Sequence, residues 1–338
     1  MVALLLALLP LAAARAPPHR LSLFTSRALT LATGDAAASL DASPALVAHG
    51  DTITVHVTAV PANRKKCFVA AFLVGDNMTA TAPLEYYNIA CAAPATLSFK
   101  AFNARASWVF ALGDGGLHAP RVLALSNAVA FSDVRSPRAV RLTPAAAPGA
   151  VRVAWTSAKP AAAGPRVLVR AAAGGSANAT FPADTLHATV EHFCGGDATG
   201  AGYRDPGFFH TALVTGLTPG ARYAYSVGDA ADESATFEFR ALPTAAANGA
   251  ALYPFVMLAV GDMGQDTVDG SSEQYTFPPA PNTTRLMALD VAAGAQAVCH
   301  AGDISYARGF ESAWELFHAS LDGIAPYVPY GLDLGNRA

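Results

Sequence analysis

The chain has 338 residues, with 22 Lys+Arg against 25 Asp+Glu and a formal charge of −3, so it presents no basic face suited to a nucleic acid. At about 100–200 residues per domain, this length predicts two to three domains. Hydrophobic residues make up 52%, but much of that is alanine, and no segment after the N-terminus is apolar for long enough to form a membrane-spanning helix.

The first element is an apolar run from Met1 to Ala14, too short to cross a bilayer comfortably and ending in Ala12-Ala13-Ala14, a small-x-small cleavage site followed by Arg15. Residues 1–14 read as a secretory signal peptide, which predicts a protein that is secreted or otherwise delivered through the secretory pathway, extracellular or vacuolar. In that setting Asn77-Met78-Thr79, Asn178-Ala179-Thr180 and Asn282-Thr283-Thr284 read as glycosylation acceptors. Cys67 and Cys91 fall in one predicted domain and can pair. Cys194 has no evident partner, and Cys299, inside an apolar strand, is expected to be a buried, inert thiol.

Residues 21–133 read as an all-β domain. In Thr52–Thr58, Ile53, Val55 and Val57 share one face and His56 lies on the other, solvated one; Trp108–Leu112 is a further strand. Residues 134–243 read as a second β domain. Val151–Thr156 alternates and supplies a core tryptophan, Trp155. Leu217-Thr218-Pro219-Gly220 turns into a strand whose Tyr223, Tyr225 and Val227 share a face, followed by Phe237 and Phe239 in the same period. That is the pattern of a tyrosine corner in an immunoglobulin-like sandwich, with the spacing of a fibronectin type III module. His210, in the same region, is expected to anchor a turn.

A small-residue linker, 244–250, separates these domains from a strand–helix–strand region over 250–338. Phe255–Val260 and Ala297–Ala301 are apolar runs of the kind expected for buried parallel strands. A third, Tyr327–Leu334, follows. Between them lie a helix beginning at Thr284 and one after Gly309, where Phe310, Trp314, Phe317 and Leu321 form a stripe with Glu311, Glu315 and His318 outside it. The βαβαβ order predicts a parallel sheet with right-handed crossovers.

Each strand run ends in a polar motif: Gly261-Asp262-Met263-Gly264, Gly302-Asp303-Ile304-Ser305-Tyr306 and Gly335-Asn336. Ligands of open α/β sheets gather at these strand ends. Carboxylate, phenolate and amide oxygens suit hard cations, and two such ions can hold the attacking and leaving oxygens of a phosphoryl displacement. In this reading Asp303, on the central strand, bridges two ions, Asp262 holds one and Asn336 the other. Tyr306 reaches the ion on Asp262, and its phenolate favours iron(III) there.

These three motifs resemble the first three of the purple acid phosphatases, a branch of the calcineurin-like metallophosphoesterases. Most of that superfamily has histidine two residues after the first aspartate; this chain has Gly264, with Tyr306 as the alternative donor, which is the purple acid phosphatase variant. Asp269-Gly270-Ser271, Tyr306-Ala307-Arg308-Gly309-Phe310, Val328-Pro329-Tyr330 and Tyr203–Thr211 resemble the large plant-type members. The resemblance implies β-sandwich domains before an α/β catalytic domain, and iron(III) plus a divalent metal (zinc, manganese or iron). It also implies hydrolysis of small phosphate monoesters under acidic conditions, with nucleotide diphosphate linkages as an alternative substrate. The family's third motif continues with histidine, where this chain has Arg337, and the family's later histidine motifs are not present through Ala338. The chain is therefore expected to be a C-terminally truncated, inactive fragment with an incomplete metallophosphoesterase domain. A non-catalytic secreted sandwich protein that binds a partner is the reading from another class.

Overall fold

The computed structural model describes residues 30–31, 37–116, 119–158, 164–171, 179–243, 255–333 and 335. The predicted signal peptide, the linker 244–250, Asn178, Asn336 and Arg337 lie outside them. Among the described residues no helix is long and apolar enough to cross a membrane.

The N-terminal region contains β1 (Thr30–Leu31), β2 (Ser39–Ser43), β3 (Leu46–Val47), β4 (Thr52–Ala59), β5 (Cys67–Leu73), β6 (Glu85–Ile89), β7 (Ala95–Lys100), β8 (Trp108–Asp114), β9 (Arg121–Leu125) and β10 (Ala130–Phe131). A five-stranded sheet, β1-β9-β8-β5-β6, faces a three-stranded one, β2-β4-β7. The alternation in β4 has its expected effect: Ile53, Val55 and Val57 enter the core between the sheets with Phe99, Trp108 and Phe110. His56 stays on the outer face, within 3.3 Å of Thr96. Cys67 and Cys91 are joined by a disulfide, with Cα atoms 5.1 Å apart. Strand β6 is a sheet edge, and its free side meets the third region, described below.

The second region is a sandwich of two four-stranded antiparallel sheets. Its strands are β11 (Arg138–Pro144), β12 (Val151–Ser157), β13 (Arg166–Ala171), β14 (Ala179–Pro182), β15 (Asp184–His187), β16 (Phe208–Val214), β17 (Arg222–Gly228) and β18 (Phe237–Arg240). They are ordered β11-β12-β16-β15 and β14-β13-β17-β18. Trp155, Tyr225, Val227 and Phe239 fill its core. The Tyr223 hydroxyl accepts a hydrogen bond from the Thr218 amide at 2.8 Å, the back-bond of a tyrosine corner. His210 does not anchor a turn. It is buried in β16, bonded to Ser157 and Thr185 at 2.8 Å each and stacked on Trp155, so it ties the middle of one sheet together.

The third region runs β19 (Met257–Gly261), α1 (Ala280–Ala292), β20 (Ala297–Ala301), α2 (Glu311–Ser320) and β21 (Tyr330–Asp333), with the strands parallel in the order β19-β20-β21. Both helices pack on one face, where Leu258, Val260, Val298 and Tyr330 meet Met287, Phe317 and Leu321. The opposite face corrects the expectation of doubly buried strands. Met257 is 54% exposed, and Ala259 and Cys299 beside it are also exposed. Cys299 is therefore a surface thiol, as is Cys194. The continuous apolar run marks strands fit for two-sided cover, and the described residues cover one side.

Helix α2 also departs from the simple stripe. Phe310 and Phe317 are buried as expected, but Glu311 and Glu315 are not solvated. Their side chains are 10% and 13% exposed and flank Arg105 of the N-terminal region, whose guanidinium lies 3.4 and 2.5 Å from their carboxylates. Burial and then the neighbouring Glu315 push the Glu311 carboxyl well up, whereas Arg105 overcomes burial to hold Glu315 below its ordinary value. His318, also expected outside the stripe, is pushed down to about 4, by burial first and then by Arg141. Arg138 and His49 converge on Asp322 at 2.7 and 3.0 Å, joining all three regions at the end of α2.

Candidate metal centre

Three strand ends meet at one edge of the parallel sheet. After β19 the backbone enters left-handed conformations at Asp262 (φ 50°) and Gly264 (φ 66°). After β20 it does so at Gly302 (φ 71°), Asp303 (φ 24°) and Tyr306 (φ 53°). Non-glycine residues in this region cost roughly 1–3 kcal/mol each and persist only where their surroundings impose them. The turns are stitched together by backbone bonds: the Gly264 amide donates to the Ile304 carbonyl at 2.9 Å, and the Gly302 amide to the Asp333 carbonyl at 3.0 Å. Gly335, past β21, packs so tightly on the second turn that a Cβ there would lie 1.9 Å from the Asp303 amide nitrogen. Only glycine permits that approach.

Of the four predicted ligands, the structure brings three together. The Tyr306 hydroxyl donates to Asp262 Oδ1 at 2.8 Å and also interacts with Asp303. Asp303 and Tyr306 are each 7% exposed, whereas Asp262 is open to solvent. Burial, followed by the hydrogen bond and charge of Asp262, raises the Tyr306 phenol, so it keeps its proton in the absence of a cation. Asn336 lies outside the described residues, but Gly335 before it adjoins Asp303. Among those residues no group of three His, Cys, Asp or Glu side chains is placed to hold a metal; the converging donors are two carboxylates and a phenol. His300 is not one of them. It points to the helix side, is buried, and shares a 2.8 Å hydrogen bond with the Tyr330 hydroxyl.

Sequence reasoning missed the residues that hold Tyr306. Its ring packs on Phe277 at 4.3 Å and stacks on Tyr275 at 5.7 Å, and the Arg308 guanidinium lies 4.4 Å from the centroid of the Tyr275 ring. The signal was available in the Tyr275-x-Phe277 alternation within an otherwise polar segment. Phe277 also explains Gly264: a Cβ there would lie 2.5 Å from the Phe277 ring. The space beside Gly264 is thus filled by part of the clamp on Tyr306. The same turn is held from below. Gly202 in the second region approaches Gly309 so closely that a Cβ on it would lie 2.2 Å from the Gly309 carbonyl oxygen, and the Glu311 amide donates to the Gly202 carbonyl at 2.9 Å.

A family profile described as "Purple acid Phosphatase, N-terminal domain" matches residues 137–241. The Arabidopsis thaliana protein named "Probable inactive purple acid phosphatase 1" is 35% identical over 248 residues, covering 72% of this chain and 40% of that protein. This chain belongs to the purple acid phosphatase family. Purple acid phosphatase PPD1 from yellow lupin (Lupinus luteus) seeds superimposes with a TM-score of 0.79 at 27% identity, covering 89% of this chain and 57% of that one. A "Nucleotide pyrophosphatase/phosphodiesterase" of Hordeum vulgare is 32% identical over 101 residues, covering 30% of this chain and 26% of that protein. The chain thus spans about 40% of the length of the curated purple acid phosphatases it matches most extensively.

Proposed function

We propose that this chain is part of a secreted dinuclear-metal phosphoesterase that hydrolyses small phosphate monoesters under acidic conditions. We assign residues 1–14 to a signal peptide and 21–133 to an N-terminal β domain. Residues 134–243 form a fibronectin type III-like domain, and 250–338 part of a calcineurin-like metallophosphoesterase domain. The observation that carries the reading is the 2.8 Å contact of Tyr306 with Asp262, beside Asp303, on strained turns at the ends of parallel strands. These oxygen donors suit a hard cation. Asp262 and Tyr306 would hold iron(III), and Asp303 would be shared with a divalent zinc, manganese or iron also held by Asn336. Such a pair, when bound, supplies a hydroxide nucleophile at low pH and charge to stabilise the phosphoryl group.

The protein's own residues prepare for this. Tyr306, whose hydroxyl donates to Asp262 in the metal-free protein, would release its phenol proton to solvent on becoming a ligand, since Asp262 would itself hold the cation. Tyr275 and Phe277 fix the ring and keep water from its faces. Where the family's third motif continues with histidine, this chain has Arg337, which lies outside the described residues.

The reading is tested by titrating the purified chain with iron(III). A phenolate–iron absorption band in the visible is expected, lost in Tyr306→Phe without change in the far-ultraviolet circular dichroism. A band that survives the substitution overturns the role of Tyr306. With only three converging donors described, the chain is expected to release its metals readily and to turn over a generic phosphate monoester far more slowly than a full-length family member. Equal turnover would refute the ligand assignment. A non-catalytic role is the second reading, favoured by the word "inactive" in the names of several Arabidopsis relatives. Persistent absence of turnover in a form carrying a complete ligand set would select it. Cleavage of a nucleotide diphosphate linkage in preference to a monoester would instead select the activity that the barley relative's name describes.

A further inference from the structure

The segment between the first metal motif and α1 does not lie on its own sheet. It pairs with the N-terminal region, where the amides and carbonyls of Tyr86 and Ser272 exchange two antiparallel hydrogen bonds, at 2.8 and 2.7 Å, on the free edge of β6. The Tyr87 hydroxyl donates to the Asp269 carbonyl, and the Ser271 hydroxyl donates to Glu85 at 3.1 Å. Two residues on, Glu273 accepts from the Tyr275 amide at 2.9 Å, the Ser312 hydroxyl of α2 at 2.9 Å and the Gln265 side-chain amide at 3.2 Å. Gln265 also donates to the Tyr275 carbonyl at 2.6 Å and is wholly buried. Glu85 and Glu273 are 1% and 3% exposed. This seam therefore fixes Tyr275 and, two residues further, Phe277, the two rings that clamp Tyr306.

We propose that Glu85 and Glu273 form an acid-closed latch: protonated, they let the 265–277 segment dock on the edge of β6, and their ionisation loosens that docking and with it the clamp on Tyr306. Glu273 acts through Gln265 and Tyr275 and is a positioning residue. The docking itself does not depend on the metal assignment; its consequence for Tyr306 does.

The surroundings give the direction. Asp266 and Asp269 face Glu85 from the segment, together with Glu273. Tyr87 stands beside Glu85 on β6, Ser312 meets Glu273 from α2, and the Arg308 guanidinium is stacked on Tyr275. Burial, then Asp269, pushes the Glu85 carboxyl well up, and burial pushes Glu273 up to about 7. The docked state thus binds protons that the undocked state releases in the ordinary carboxylate range. The latch is tightest at acidic pH and weakens as the pH rises towards 7.

Native-state hydrogen exchange on the whole chain tests this at the Tyr86 and Ser272 amides, corrected for the intrinsic pH dependence of exchange. Between pH 5 and 7 the opening constant should rise by about tenfold per pH unit for each carboxyl that ionises on opening. Glu273→Gln and Glu85→Gln should each remove part of the slope. Ser312→Ala, which deprives the Glu273 anion of a donor, should move the upper plateau to higher pH. A flat profile in the unmodified chain overturns the proposal, as does a slope unchanged in both glutamine variants. If the glutamine variants fail to fold, an unmoved plateau in Ser312→Ala overturns it. A pH-dependent latch in a chain that shows no phenolate–iron band would fault the metal reading alone.

Discussion

Gly264 shows how one residue can carry two constraints. Its φ of 66° disfavours any side chain, and the ring of Phe277 occupies the space a side chain would need. Gly264→Ala is expected to destabilise the chain by about 1–3 kcal/mol, read as a lower midpoint in urea, because strain and overpacking act together. An unchanged midpoint would mean that Phe277 moves aside at little cost. The cysteines give a second test at this scale. Cys194 and Cys299 are exposed and free, while Cys67 and Cys91 are disulfide-bonded. A thiol reagent should therefore modify two groups in the native protein, and four after reduction and unfolding. Mass mapping that finds Cys299 protected would show that the open face of the sheet is covered in solution.

At the scale of elements, α2 depends on a partner outside its own domain. Its apolar stripe packs Phe317 and Leu321 on the parallel sheet, and its acidic side holds Arg105 from the N-terminal region. Removing one partner of a buried ion cluster leaves uncompensated charge and costs about 3–5 kcal/mol. Arg105→Ala should lower stability by that amount in chemical denaturation. Combining Arg105→Met with Glu311→Gln and Glu315→Gln should recover most of the loss, because no charge then remains buried. A loss in the triple variant as large as in the single one would show that Arg105 contributes through shape rather than charge.

For the whole molecule, the dominant feature is an asymmetric third region. Helices cover one face of β19-β20-β21, while Phe255, Val256 and Met257 are 37%, 47% and 54% exposed near the start of the edge strand. Apolar surface beside an unpaired edge promotes association. The chain is expected to self-associate with rising concentration in light scattering, and Met257→Lys should reduce the effect. Monomeric behaviour at all accessible concentrations would show that the two β regions keep this face apart.

Much of the architecture was legible in the chain itself, because periodicity and turn chemistry are local. The alternation in 52–58, the Thr218-to-Tyr223 corner and the stripe from Phe310 to Leu321 each describe how one element meets a core. The three glycine-flanked motifs announced oxygen donors at strand ends, and the resemblance they carry named the family. What the sequence could not express was which distant surfaces would meet. Glu311 and Glu315 look like solvated positions until Arg105 arrives from about 200 residues away; Ser271 looks like loop polarity until it meets Glu85 of β6, and Glu273 until it meets Ser312 of α2. Cys299 reads as buried because an apolar run records a strand's fitness for cover on both faces, not whether the cover is present. Local pattern determines an element's faces, but burial is a property of pairs of surfaces. That is why the convergence of Asp262, Asp303 and Tyr306 at strand ends could be expected from the sequence, while the clamp that orients Tyr306 emerged only from the tertiary structure.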